Sequence, residues 1–378
     1  MRFRSLLVLL LTPLLTAAAP AEFFVYFGTY TSGASKGIYR SRLDVATGHL
    51  SPAELAIAVK DPAFLAVHPK GDFLYALVES SDVKRTPMTG LTAYSVNPTT
   101  GALHLLNQQT GGDSAPCPLS VDRDGKSLLV ANYGGGSAAL VALQPDGRLG
   151  ALGSVIKHTG SSVNPARQES PHAHGIYPSP DNRFAFVPDL GIDRIVAYQL
   201  DAAHAKLTST GTAPLAPGSG PRHLAFHPNG HFAYVISELL CTMTVFSYDA
   251  DKGALTTIQT ISTLPPGESI PKGTSTAEVQ VHPNGKFLYG SNRGANTLAV
   301  YAIDEKTGRL TYVESQSTRG KTPRHFALDP TGTWLLAENQ DSNDVAVFRV
   351  DPKSGRLTPT GPLAPVPTPV AAVFVPVR

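Results

Sequence analysis

Pro171-His172-Ala173-His174 sets two imidazoles two residues apart, while Pro221-Arg222-His223 and Pro323-Arg324-His325 each place a guanidinium directly after a proline. Glu79, Glu238 and Arg293 add two carboxylates and a third guanidinium at the ends of apolar runs. Arginine grips planar or tetrahedral anions through a fork of donors. The same donors stabilise an oxyanion as it develops. A histidine or glutamate beside them takes a proton from water, and the residue types leave both His174 and Glu238 open as that base. The set suffices for ester or lactone hydrolysis without a metal. Ring closure in the reverse direction, or proton transfer next to a carboxylate, needs the same parts.

Other chemistries find less support. Zinc takes three or four His, Cys or carboxylate ligands. His172, His174 and Glu238 supply three, but the neighbouring arginines repel a cation, so neither metal nor cofactor is expected. Nothing in the chain reads as a nucleophile elbow that would support a Ser-His-Asp triad, and there is no P-loop and no dinucleotide fingerprint. With 31 basic and 29 acidic residues it carries no basic field for nucleic acid.

Residues so far apart in sequence need a repeating scaffold to meet. PAFLAVHPKGDFLYALVES, PCPLSVDRDGKSLLVANYG, PRHLAFHPNGHFAYVISEL, AEVQVHPNGKFLYGSNRG and PRHFALDPTGTWLLAENQ are versions of one phrase, and the stretch after Ala173 fits their register. Each reads as a strand, a Pro/Gly/Asn turn and a second strand. Segments such as TLAVYAIDEKTGRLTYVESQ supply a third and fourth. The units start at 62, 116, 173, 221, 276, 323 and 369. Four strands repeated every roughly 40–50 residues or slightly more signal a β-propeller blade. The fold class is therefore all-β: a seven-bladed propeller in one domain, 22–378. PVAAVFVP near the C-terminus provides the first strand missing before FFVYFGTYTSG, and that pairing closes the ring.

In such a ring the start of strand one and the end of strand two lie on the same face. Strand-one starts read Ala63, Cys117, His174, Arg222, Ala277, Arg324 and Val370; strand-two ends read Tyr30, Glu79, Tyr133, Leu190, Glu238, Arg293 and Gln340. One residue before these ends stand Asn132, Asp189 and Asn292. His174, Glu238, Arg222 and Arg293 are the expected catalytic set. Arg324, Glu79, Asn132, Tyr133, Asp189, Asn292 and Gln340 are expected to bind substrate, with His172, off the register, beside them. His68, His227 and His282, in the His-Pro turns, read as structural. His223 and His325, one step inside strand one, are expected to face neighbouring blades, and Cys117 to be a small apolar filler.

MRFR, the apolar SLLVLLLTPLL and the run Ala17-Ala18-Ala19-Pro20-Ala21 read as a signal peptide over 1–21. The mature protein is expected in a periplasm or secreted, with no membrane attachment after cleavage. Cys117 and Cys241 make no disulfide framework.

The repeats, Gly28-Thr29-Tyr30-Thr31, Arg167-Gln168 ahead of Pro171-His172-Ala173-His174, Gly220-Pro221-Arg222-His223 and Ser291-Asn292-Arg293-Gly294 resemble the lactonase family of seven-bladed β-propellers. That family includes propeller-type 6-phosphogluconolactonases and fungal 3-carboxy-cis,cis-muconate lactonising enzymes. The resemblance implies a small anionic lactone as substrate and a site made of His174, Arg222, Glu238 and Arg293; it adds Arg167 to the binding set. It implies hydrolysis of a sugar lactone, 6-phosphogluconolactone by family default, with a muconate-type lactonising isomerase or a non-catalytic binding propeller as alternatives. An export signal departs from a cytosolic phosphosugar pathway: either the substrate is another sugar lactone outside the cytoplasm, or the family name is inherited without the substrate.

Overall fold

The structure, a computed structural model, describes residues 20–79 and 89–378. The signal-peptide reading falls almost wholly on residues outside these. Seven four-stranded antiparallel sheets form the ring. The first blade takes its inner strand, β28 (Pro369–Pro376), from the far end of the chain and pairs it with β1 (Glu22–Thr29), β2 (Gly37–Asp44) and β3 (Glu54–Ala58). Phe23 lies opposite Pro376, and the register runs on to Gly28 opposite Ala371. The expected closure is present, and it pairs the strand edges that both ends of the chain would otherwise leave open.

The core lies between blades. Second and third strands are apolar on both faces because each blade is covered by a neighbour on either side. In β17 (Phe232–Ser237) and β25 (Trp334–Asn339) every residue is buried. Among the described residues seven apolar clusters result, each drawn mainly from two adjacent blades. Polar latches tie the same interfaces. Tyr26, Tyr75, Tyr234 and Tyr289 each donate a hydroxyl proton to a glycine carbonyl in the next blade's outer turn, at 2.7–3.1 Å. One acceptor, Gly308, has φ 71°, and a Cβ there would come within 2.5 Å of the Phe232 ring. Glycine therefore serves both the turn and the close approach.

Two local departures from the expected strands shape the site. The fourth blade has almost no inner strand: β12 is only Tyr177–Pro178, and the chain before it makes one isolated bridge, Ala173 to Asp189. His174 therefore sits on irregular backbone, anchored by its N–H to the Pro188 carbonyl at 2.9 Å. Secondly, β16 (Pro221–Phe226), β20 (Ser275–Val281) and β24 (Pro323–Leu328) each carry a bulge near the outer end. Arg222 and Arg324 are the extra residues in two of them, and Ala277 and Glu278 lie within the third. A bulge breaks the in–out alternation and re-aims side chains. Consecutive residues such as Arg222 and His223 can then both turn into the channel.

Candidate active site

Glu238 organises the mouth of the channel. It follows β17, in the turn to the third strand of the same fifth blade, and its N–H is held by the Gly220 carbonyl at 2.7 Å. It is only 4% exposed. Three guanidinium groups converge on its carboxylate. Arg167 Nη2 donates to Oε1 at 2.8 Å, from the loop before His172. Arg293 Nη2 lies 3.1 Å from Oε2, and Arg222 Nε 3.3 Å from the same oxygen. His174 Nε2 stands 3.8 Å from Oε2, too far to hydrogen-bond. Burial pushes the Glu238 carboxyl up, but Arg293, Arg222 and Arg167 outweigh it and hold the group far below the usual carboxylate range. Glu238 is a permanent anion.

The cations are not spent on that single charge. Arg222 is fully buried, with Nη1 on the Ala277 carbonyl at 2.8 Å, while its Nη2 has no hydrogen-bond partner. Arg293 Nη2 also donates to the Thr276 carbonyl, and its Nε is unpartnered. The Arg324 guanidinium lies 5.5 Å from the centre of the Tyr30 ring, and its Nε is likewise unpartnered. Burial first, then Arg222, pulls the Arg293 pKa down to about 10. Three arginines on one carboxylate, with Arg324 acting on Arg222 and Arg293, leave an excess of positive charge and several unpartnered donors, which suits an anion or a developing oxyanion.

His174 lies edge-on to Tyr133, ring centres 5.2 Å apart, and to His223 at 5.4 Å. Its Nδ1 is buried without a partner. Burial, then the nearby Arg222, drives its pKa well below 6.5, so the ring is neutral at neutral pH and retains a lone pair. A neutral imidazole beside a fixed carboxylate and free guanidinium donors can accept a proton from water.

The structure thus brings His174, Arg222, Glu238, Arg293 and Arg167 together, with Tyr133 and Arg324 at the edge. It turns other expected binding residues to support. Asp189 is fully buried; it accepts from the His172 and Gly191 N–H groups and bonds His158 Nδ1 at 2.6 Å. Asn132 and Asn292 are fully buried, and their amides donate to the Gly111 and Thr263 carbonyls at 3.2 and 2.9 Å. These three pin loops rather than meet substrate, because strand two is covered on both faces one residue before its end. His172 stacks flat on Tyr133 at 4.5 Å, with Nδ1 to the Tyr133 carbonyl, and so fixes the ring beside His174. Gln340 donates to Asp341, leaving its Oε1 buried and unpartnered. The Glu79 side chain lies outside the described side chains. Cys117 and Cys241 are free and buried, and burial pushes the Cys117 thiol up to about 12, consistent with a filler.

Sequence reasoning missed Glu278 and Glu338. Both lie inside apolar runs, Ala277-Glu278-Val279 and Leu336-Ala337-Glu338, and a charge in such a run was the available signal. Among the described residues, no group of three or more His, Cys, Asp or Glu could hold a metal ion. No helix there is long and apolar enough to cross a membrane.

Comparison with known proteins gives this geometry a context. The family model described as "Lactonase, 7-bladed beta-propeller" matches residues 24–374. A 6-phosphogluconolactonase of Bacillus subtilis is 35% identical over 308 residues, covering 82% of this chain and 85% of that one. One of Formosa agariphila is 30% identical over 311 residues, covering 81% and 86%. Among solved structures, the periplasmic gluconolactonase of Pseudomonas aeruginosa superposes with a TM-score of 0.87 at 33% identity, covering 94% of this chain and 100% of that one.

Proposed function

The chain belongs to the lactonase family of seven-bladed β-propellers, and from that premise we propose that it hydrolyses a sugar lactone at the channel mouth. The observation that carries the reading is the convergence of Arg167, Arg222 and Arg293 on Glu238, with neutral His174 3.8 Å away. The lactone carbonyl oxygen sits against the free donors of Arg222 and Arg293. His174 takes a proton from water as the water oxygen attacks the carbonyl carbon. The guanidinium groups carry the resulting oxyanion. Collapse breaks the ring C–O bond, the leaving oxygen takes the proton from His174, and the acid product releases one proton to solvent. Glu238 is a poor base, held ionised by its arginines, and acts as the anion that sets their positions.

The excess of arginine favours an anionic lactone, with Arg324 over Tyr30, its Nε unpartnered, suited to a phosphate or carboxylate on the substrate. The leader-like start of the sequence and the likeness to a periplasmic gluconolactonase both support work outside the cytoplasm. Proton release in weak buffer tests the reading, using the purified mature protein on 6-phosphogluconolactone and on unphosphorylated gluconolactone. Acceleration over spontaneous opening, lost in Glu238→Gln and Arg222→Ala, is the expected result. Equal rates with and without protein on both lactones would overturn it.

A further inference from the structure

The residue just before the third strand repeats one backbone job from blade to blade. Gly136, Asp193, Cys241, Asn296 and Asn343 hold this place in the third to seventh blades, all left-handed, with φ between 48° and 59°. Each carbonyl accepts the N–H of the residue that follows its blade's fourth strand: His158, Leu215, Thr263, Thr318 and Val366, at 2.8–3.1 Å. The side chains differ. Asn296 and Asn343 each turn an amide oxygen to a backbone N–H ahead of the next inner strand, Thr322 at 2.8 Å and Thr368 at 2.9 Å. Asp193, between β13 (Phe184–Asp189) and β14 (Arg194–Asp201), holds more. It is 5% exposed. Its Oδ1 accepts from the Gly220 N–H at 2.7 Å and the Ser219 hydroxyl at 3.1 Å. Its Oδ2 accepts from the Gly218 N–H at 2.6 Å and the Ser162 hydroxyl at 2.5 Å. The single accepting oxygen of an asparagine could not serve both pairs.

These donors lie on the two segments that build the Arg167–Glu238 pair. The Gly218–Gly220 loop leads into β16, with Arg222 two residues on. Its Gly220 carbonyl holds the Glu238 N–H at 2.7 Å, and its Ser219 carbonyl holds the Leu239 N–H at 3.0 Å. Ser162 belongs to the strap of residues 158–172, which crosses from the third blade to the fourth. The Ser162 N–H bonds the Gln168 carbonyl at 2.9 Å, and Arg167 beside it reaches Glu238. The Arg167 side chain is 40% exposed. Holding so long and open a side chain in one place costs rotamer entropy, so the backbone beneath it must be fixed. One buried carboxylate therefore joins the segment under the cation to the segment under the anion.

We propose that Asp193 is a positioning residue for the anion site: it clamps the strap that carries Arg167 to the loop that holds Glu238 and leads to Arg222, and so sets how tightly the substrate's anionic group is bound. The consequence for substrate rests on the lactonase reading; the clamp itself does not. Two substitutions separate its arms. Ser162→Ala removes the strap arm alone. Asp193→Asn keeps the size of the side chain, and asparagine accepts left-handed backbone. Its NH2 group must face one of the two donor pairs. A hydroxyl there can rotate to accept, but the backbone N–H is stranded.

Hydrogen exchange of the full mature chain reads the clamp directly. In Ser162→Ala, residues 158–168 should exchange about tenfold faster, the worth of one hydrogen bond to a charged group, with the blades as protected as in the wild type. Asp193→Asn should speed exchange at Gly218 and Gly220 or in the strap, and nowhere else. An unchanged strap in folded Ser162→Ala overturns the proposal, and so does a rise spread over all the blades. On 6-phosphogluconolactone, Ser162→Ala should raise KM about tenfold and leave kcat as it was. In an Arg167→Ala background the same substitution should add nothing, because the clamp acts through that guanidinium. A fall in kcat alone, an unchanged KM beside a loosened strap, or full additivity with Arg167→Ala overturns the positioning role. If the wild type opens no lactone, exchange still decides the clamp, so its failure and that of the lactonase reading are distinguishable.

Discussion

The two ends of the inner strands use histidine in opposite ways. At the end away from the mouth, His68, His227 and His282 sit in His-Pro turns, and each bonds the next blade. Their Nε2 atoms meet the Gly125, Gly285 and Gly332 carbonyls at 3.2, 2.7 and 2.8 Å. Their Nδ1 atoms accept from the Lys70, Asn229 and Asn284 N–H groups at 3.1–3.2 Å. Both ring nitrogens are satisfied, so these rings have no free lone pair for chemistry. At the mouth, His174 is equally buried but has one nitrogen without a partner and the other beyond hydrogen-bond reach of Glu238. A buried polar group left unpaired costs stability, and such a cost is typical of functional sites. Satisfaction of the ring, rather than burial or residue type, separates a staple from a candidate base.

Substitution should split the two ends cleanly. His174→Gln should lower kcat by about 10²–10⁴-fold, the usual worth of a general base, while the melting temperature stays near the wild-type value. Comparable loss of both would place His174 with the staples. Arg222→Ala and Glu238→Gln should follow, each costing on the order of 10²–10³-fold in kcat/KM, because each removes oxyanion donors or their anchor. Steady-state rates on 6-phosphogluconolactone read both.

His227→Ala should do the reverse. It strands a buried glycine carbonyl and should cost about 1–3 kcal/mol of stability by denaturant titration, with kcat/KM unchanged. The pH profile gives a smaller but sharper reading. A pKa depressed by burial and Arg222 keeps His174 neutral above that lowered value, so the base form is not lost as pH falls through 6.5. Activity should stay flat across that point and decline only at lower pH. A half-loss centred near 6.5 would mean an unperturbed, solvent-exposed ring.

Much of this was legible in the sequence because repetition exposes register. The recurring strand-turn-strand phrases, three of them with a His-Pro-x-Gly turn, set blade number, ring closure and the strand ends, and those ends pointed to His174, Arg222, Glu238 and Arg293. The turn histidines were readable from the same pattern, since their place relative to the Pro-Gly turn recurs in three blades. That Asn132, Asp189 and Asn292 are buried and bonded to neighbouring loops was not legible, because register says which face a residue shares, not whether a loop covers it.

What the sequence could not settle is governed by the bulges. A strand alternates its side chains strictly, so a reading that assumes alternation sends one of Arg222 and His223 into the channel and the other away. An extra residue in β16, and similar irregularities in β20 and β24, cancel that alternation within one or two positions. Only packing of the blades around the axis then determines that His223, Glu278, His325 and Glu338 meet, because the four come from three blades and their nearest partners lie up to 55 residues apart. Local periodicity decided the architecture and the ends of the strands. Tertiary closure decided which charges touch, and so which histidine is left free to act.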